Sequence, residues 1–528
     1  MKQLMRRGWA LLLALVMVSG VCFLFAGRKQ GMFIDEIYTY GLSNSRYQPF
    51  LSGLMYEDIE NRVFTREELL DYVSITGDEG FDFGSVYYNQ VHDVHPPLYY
   101  WLFNFASTLA KGSFSLWTGL ILDYVLYLGC VLMLYALVRR LGGSRLNGAA
   151  AALLYGLSLI GLSTMLMIRM YVLLTLLTLV LAYFIADLMR GFKKRTCVFV
   201  GLTLLAGLMT QYYFVFYAFF LCAAYVLWAL AKKEYKALAW FVPCALVGAL
   251  SLLLLFPAAL DHLFSGKLVS GESAMDNLKN FAQYPARFQV FFGAARHGLK
   301  AAILVALAAA AGLALSFRKL CAAAREGRVR LDWLVLIVPA FVTLALVAVI
   351  SPVDEERYIY NIMPIFVLAV SFLLYLLEES WGDFARAGQV KALLLLALAA
   401  LALWEARCAP PAYLYPEHAE YNAMLAAHSD DPCVVLAEPK YAFVPMTEDL
   451  MQLLVFPEVY VTDKSSFAPM LDYIGDADEA VLFIDISKFW SSGYDEEEIL
   501  RRLADETDFD RAEQLFTLGL STTYLISK

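Results

Sequence analysis

Charge is what this 528-residue chain has least of: Asp, Glu, Lys and Arg make up only 17% of it, against about a quarter of a typical soluble domain. Hydrophobic residues account for 60%, and mean hydropathy is +0.59. So little charge cannot cover the surface of one or two soluble cores, which excludes an ordinary soluble protein. The net charge is −9, and the basic residues lie in small clusters between apolar runs. That excludes a nucleic-acid-binding surface. Internal repeats, low-complexity tracts and Asn-x-Ser/Thr sequons are also missing. Cysteine is sparse, and Cys22, Cys130, Cys197, Cys222 and Cys244 fall inside hydrophobic segments, where a small apolar thiol is the expected role. Cys408 and Cys433 lie in a segment expected outside the membrane, where spacing alone leaves a disulfide open.

What the chain does have is a succession of apolar runs of roughly 18–22 residues, matching a bilayer core. They place spans at 9–26, 114–138, 147–168, 170–189, 196–214, 215–231, 237–258, 300–317, 331–350, 360–377 and 391–407. The N-terminus, with Lys2, Arg6 and Arg7 before an apolar stretch, resembles a signal peptide. No small-x-small cleavage site precedes a soluble domain, so an uncleaved first helix is expected. The clusters Arg139/Arg140/Arg145, Arg190/Lys193/Lys194/Arg195, Lys232/Lys233/Lys236, Arg318/Lys319/Arg325/Arg328/Arg330 and Arg386/Lys391 join the N-terminus on the cytoplasmic side by the positive-inside rule. They can do so only if 97–110 does not cross. That stretch is short, and Tyr99, Tyr100 and Trp101 suit the headgroup region, so it reads as an interfacial helix. The expected fold is a polytopic α-helical membrane protein of about eleven spans, N-terminus inside and C-terminus outside.

That topology puts three polar segments on the outer face: the first loop 27–113, the loop 259–299 and the tail 408–528. In the first, Thr65-Arg-Glu-Glu68 before Leu69-Leu70 predicts a capping box opening a short helix. The tail alternates strand-like runs (Cys433–Leu436, Val481–Ile484, Thr523–Ile526) with helix-like ones such as Glu496 to Glu506. This is the pattern of a small α/β domain, which divides the chain into a transmembrane part, 1–407, and an extracytoplasmic part, 408–528.

Residues able to do chemistry gather at the outer face. Asp35-Glu36 follows the first span within ten residues. Neighbouring side chains diverge in any regular backbone, so one of the pair can face a reacting centre and deprotonate a hydroxyl. The other can orient it, bind a metal or pair with a basic group; both can equally be solvated loop carboxylates. In His92-Asp93-Val94-His95-Pro96-Pro97 the prolines favour a helix start, which makes His95 a cap candidate. His92, Asp93 and His95 are ligand types for a divalent metal, without the usual i,i+4 arrangement. Arg169, in Met167-Ile-Arg-Met-Tyr171, breaks the positive-inside pattern, and Arg357 lies outside in Asp354-Glu-Glu-Arg-Tyr358. A guanidinium suits phosphate oxygens, though either could instead neutralise a carboxylate such as Glu355 or Glu356. Thr210-Gln-Tyr-Tyr-Phe214 interrupts an apolar stretch and suits a polar cavity or a packing contact. Asp123, inside a span, needs a partner that the sequence does not name.

With these residues in place the chain resembles the GT-C class of polyprenyl-phosphate-dependent glycosyltransferases, in the bacterial branch related to protein O-mannosyltransferases and lipid A aminoarabinose transferases. The resemblance rests on Asp35-Glu36, His95-Pro-Pro-Leu-Tyr-Tyr100, Arg169-Met-Tyr171, Gln211-Tyr-Tyr213 and Arg357-Tyr358, and it covers roughly 8–380. It implies inverting transfer of a hexose or pentose from a polyprenyl-phosphate-linked sugar to a glycan, lipid or protein hydroxyl. The reaction would occur at the outer face of a bacterial plasma membrane, with the first loop forming the site. Asp35 would be the base with Glu36 beside it. His92, His95, Tyr171, Gln211, Tyr212 and Tyr358 would line the substrate, and Arg169 and Arg357 would hold the donor phosphate. No cofactor is implied; a divalent metal stays open. The mannosyltransferases of the class carry a Lys soon after His-Pro-Pro, whereas Leu98-Tyr-Tyr-Trp follows here; that departure counts against mannose and a protein acceptor and leaves the general transferase reading intact. The rival readings are a transporter, which would place binding groups near the midplane, and a non-catalytic scaffold, which would lack the acidic pair.

Overall fold

The structure, a computed structural model, describes residues 2–528 except 78, 265–275, 382–396, 399, 402, 406 and 488–494. The chain forms two compact units. One comprises Met1–Gly27, Val94–Tyr99 and Leu120–Ala412; the other comprises Arg28–Asp93, Tyr100–Gly119 and Tyr413–Lys528.

The first unit is a helical bundle. Among the described residues, seven helices are long and apolar enough to cross a bilayer, and nine crossings result if each of two bent helix pairs is one span. The first bent pair, Arg145–Gly156 and Leu159–Leu166, turns by 61° where one continuous span is expected. Ser158 causes the restart: its hydroxyl donates to Tyr155 O at 2.7 Å and accepts from Gly161 N–H at 3.1 Å, capping the second piece. The second pair, Phe281–Gly298 and Lys300–Leu315, turns by 83°, and its first helix lies where the sequence suggests a loop. Two expected spans remain. Helix Lys194–Leu208 has 15 residues, about 22 Å of rise, short of a core of about 30 Å. Of the span expected at 391–407, residues 391–396, 399, 402 and 406 lie outside the described residues.

Basic residues meet at one end of this bundle. Arg139, Arg140, Arg190 and Arg330 are near neighbours. Asp187 receives Arg140, Lys193 and the Thr196 hydroxyl, while Glu378 accepts from Ser144. Arg169 precedes the opposite end of the helix Tyr171–Arg190. Helices Lys194–Leu208 and Tyr235–Leu255 pack backbone to backbone, because a Cβ on Gly248 would overlap the Gly201 carbonyl.

The second unit combines the first loop with the tail. Helix Leu98–Leu109, most of which belongs here, has 12 residues, about 18 Å of rise, too short to cross. It starts after Pro97, so the boundary lies two residues beyond His95, the expected cap. The Thr65 capping box forms: Thr65 N–H donates to Glu68 Oε2 at 2.9 Å and Glu68 N–H to Thr65 Oγ1 at 3.3 Å. The tail carries β2 (Cys433–Leu436), β3 (Glu458–Thr462), β4 (Glu479–Asp485), β5 (Arg511–Leu518) and β6 (Ser521–Ser527). The first loop donates β1 (Arg62–Thr65), giving a six-stranded sheet ordered β1-β3-β2-β4-β6-β5. Strands β3, β2 and β4 are parallel; β1 and β6 add antiparallel to either side. On one face Val434, Leu436, Leu482, Ile484 and Ile526 pack with Met470, Ile499 and Leu503 from two helices. Cys433 is buried in β2, and neither it nor Cys408 is bridged.

Candidate active site

The acidic pair opens a helix, Ile34–Asn44, directly after the first span. Phe33 has extended backbone and caps it, and the Glu36 carboxylate accepts the Phe33 N–H at 2.7 Å. Glu36 is therefore fixed at the third helical position. Its side chain, fully buried, also meets Lys29 Nζ at 3.0 Å. A residue one position away points about 100° round the helix, and Asp35 stays half-buried. The pairing to a basic group, one of the alternatives left by the sequence, falls to Glu36. Asp35 occupies the first turn, where the helix N-terminus favours negative charge.

The far end of this helix is held just as closely. Asn89 Nδ2 donates to Leu42 O and Ser45 O at 3.2 and 3.1 Å, and Asn104 Nδ2 to Ser43 O at 2.8 Å. These amides satisfy carbonyls that a helix C-terminus leaves orphaned. Glycine is required at position 41, since a Cβ would run into the Tyr72 ring. His92 ends the helix Phe83–His92; its Nδ1 lies 2.9 Å from Tyr88 O and must carry the proton there, leaving Nε2 as the acceptor of the neutral ring.

Within the membrane unit the remaining candidates gather at one end. Arg169, 3% exposed, lies between two helices with Nη2 at 3.5 Å from His95 Nδ1. The His95-Pro-Pro-Leu-Tyr99 stretch is fastened twice more: Leu98 N–H donates to Met209 O at 2.9 Å, and Tyr99 hydroxyl to Asp123 Oδ1 at 2.8 Å. Tyr99 is thus a partner that the buried Asp123 required. Gln211 Oε1 accepts from Tyr212 N–H at 2.7 Å, and Tyr212 hydroxyl lies 3.0 Å from His262 Nδ1. The Tyr171 ring meets Tyr360 edge-on at 6.1 Å, and Tyr213 packs on Tyr358 at 4.8 Å. Arg357 Nε is 2.7 Å from Glu355 Oε2, the neutralising contact that the sequence also allowed.

Two residues escaped the sequence reading. Lys29 is one; its signal was present, because Arg28-Lys29 at a span end expected outside breaks the positive-inside pattern as Arg169 does. Arg287 is the other. Buried, it donates Nε to Ala348 O at 2.9 Å and Nη2 to Ser351 O, and pairs with Asp354 at 3.0 Å. Ala348 O lacks its normal helical donor because residue 352 is proline. Arg287 supplies that donor and a positive charge at a helix C-terminus. It thereby anchors the turn leading to Arg357.

Among the described residues, donors spaced for a metal ion occur at His428, Asp431 and Glu479 in the tail; Asp35, Glu36, His92 and His95 form no such group.

Residues 94–260 match the family model for dolichyl-phosphate-mannose-protein mannosyltransferases. The oligosaccharyltransferase of Archaeoglobus fulgidus in its apo form superposes with a TM-score of 0.50 at 11% identity, covering 84% of this chain and 64% of that one. The fold is that of the GT-C glycosyltransferases. ArnT from Cupriavidus metallidurans, bound to undecaprenyl phosphate, aligns over 98% of both chains at 13% identity with a TM-score of 0.48. The Archaeoglobus fulgidus AglB complex with an inhibitory peptide and a dolichol-phosphate aligns over 91% of this chain and 70% of that one, at 10% identity and a TM-score of 0.46. No curated protein sequence matches the chain. The GT-C resemblance read from the motifs is thus borne out for the fold, and the matched segment contains His95, Arg169, Tyr171, Gln211 and Tyr212.

Proposed function

We propose that this chain is a membrane glycosyltransferase that moves a sugar, with inversion, from a polyprenyl-phosphate donor to an acceptor hydroxyl on the extracytoplasmic face of a bacterial plasma membrane. The observation that carries the reading is the division of labour in the acidic pair: Glu36 is buried on Lys29 and Asp35 stays half-buried at the helix start. One carboxylate suffices for a single displacement, which does not need the two opposed carboxylates of a glycosidase. Asp35 takes the acceptor proton, and the freed oxygen bonds to the anomeric carbon. The bond from that carbon to the phosphate oxygen breaks, and its electron pair leaves with the phosphate. Arg169 and Arg357 offset the growing negative charge. His92, His95, Tyr171, Gln211, Tyr212 and Tyr358 contact substrate. The family match over 94–260 supports a lipid-phosphate sugar as donor. The test is transfer of radiolabelled sugar from a panel of polyprenyl-phosphate donors by membranes holding the wild type or Asp35→Asn. Consumption that collapses in the variant supports the reading and identifies the sugar. Equal activity in both removes Asp35 as the base.

A further inference from the structure

We propose that the tail forms the seat of the acidic turn, with Lys29 as the positioning residue that joins them. The inference rests on the transferase reading and assigns the tail a part in that same site. Lys29 Nζ holds two groups at once: Glu36 Oε2 at 3.0 Å and Tyr413 O at 2.6 Å. The next residue repeats the attachment, Gln30 N–H donating to Leu414 O at 2.8 Å. Gly31 then lies so close to the tail that an added Cβ would be 2.5 Å from the His418 ring and 2.7 Å from Tyr415 Cβ. The Phe33 ring meets Tyr413 at 6.1 Å, and the Lys29 ammonium stands 5.5 Å from the Tyr415 ring centre. His418 is itself fixed by Gln452, whose Nε2 lies 3.2 Å from His418 Nδ1 and 3.2 Å from Asn422 Oδ1. Four of the five residues 29–33 ahead of the helix Ile34–Asn44 are therefore held by one six-residue stretch of the tail.

The energetics make this seat specific. Both charges of the Lys29–Glu36 pair are fully buried. Such a pair is stable only while both members are present, because removing one strands the other in a dry site. Glu36 also caps the helix through Phe33, so a disturbed Glu36 shifts the helix start and Asp35 with it. Lys29 touches no reacting atom in this account. It acts by fixing the height and direction of Asp35.

The test is a double-mutant cycle in the full-length protein: Lys29→Met, Glu36→Gln and the two combined. Each is read by kcat and donor KM for transfer and by hydrogen exchange at 413–418. The seat predicts that each single variant loses about a hundredfold in kcat with donor KM little changed, as expected when one buried partner is stranded. It also predicts faster exchange at 413–418 in Lys29→Met. The double variant, which keeps a cap at position 36 and strands no charge, should recover most of both. A double variant as inactive as Glu36→Gln would make Glu36 a catalytic group and overturn the inference, as would unchanged exchange at 413–418 in Lys29→Met. If the wild type transfers no sugar, the transferase reading fails, and the exchange cycle still decides the seat.

Discussion

Replacing Arg287 with Met should loosen the turn that leads to Arg357 while leaving the bundle folded. The guanidinium serves three acceptors: Ala348 O, Ser351 O and Asp354. Asp354 is 42% exposed, so that pair contributes little, about 0–1 kcal/mol. Ser351 O keeps a second donor, Asn277 Nδ2 at 2.7 Å. Ala348 O loses a charged donor in a buried position, with no helical N–H from residue 352 to replace it. A charged hydrogen bond contributes about 1.5–3 kcal/mol, and the partial loss at Ser351 brings the local total to about 3 kcal/mol. That raises the opening equilibrium roughly a hundredfold. Hydrogen exchange resolved over 347–362 reads it directly, because Ser351 N–H is bonded to Val347 O and Tyr358 N–H to Glu355 O in the closed state. Arg287→Lys keeps one charged donor and should fall between, at about tenfold. Unchanged protection in Arg287→Met would refute the capping argument.

Tyr99→Phe removes a hydroxyl that donates to the buried Asp123, at a cost of about 1–3 kcal/mol; Tm in detergent should fall, and an unchanged Tm would mean that other contacts hold Asp123. Gly248→Ala should cost about 1–3 kcal/mol by overpacking against the Gly201 carbonyl, whereas Gly293→Ala, facing open space inside a helix, should hold or slightly raise Tm; an equal loss in both would remove the close packing as the cause. Burial holds the Asp449 carboxyl well above its usual range, against the Ser521 hydrogen bond and with Glu448 and Asp485 adding to the rise. A raised carboxyl stabilises the fold below its ordinary range and loses that contribution as pH rises through its elevated value. Asp449→Asn should therefore gain Tm over the wild type as pH rises from about 4 to about 8, and a constant difference would contradict the shift.

Run lengths and charge clusters were enough to place most helices, because a bilayer sets both. They failed where a few residues decide. The break at Leu157–Ser158 is invisible to hydropathy, since one hydroxyl restarts the helix inside an otherwise apolar run. The helix Tyr284–Gly298 mixes Arg287, Arg296 and His297 with apolar residues and so reads as a loop. Strands β2, β4 and β6 were legible from β-branched and aromatic runs. The pairing of β1 with β3 joins Arg62 to Val461, a contact with no local trace. Among the candidate residues, the acidic pair, Arg169 and Arg357 stood out as charges in unusual surroundings. Which acid is buried could not be read, because the answer lies in Lys29 and in a tail stretch nearly four hundred residues away.

A single displacement assisted by one carboxylate inverts the anomeric carbon, so the configuration of the transferred sugar reports on it without intermediate steps. The product of wild-type turnover, resolved by NMR at the anomeric carbon, should show the configuration opposite to that of the donor. Retention would require a covalent sugar intermediate and a second catalytic group, and would contradict the account.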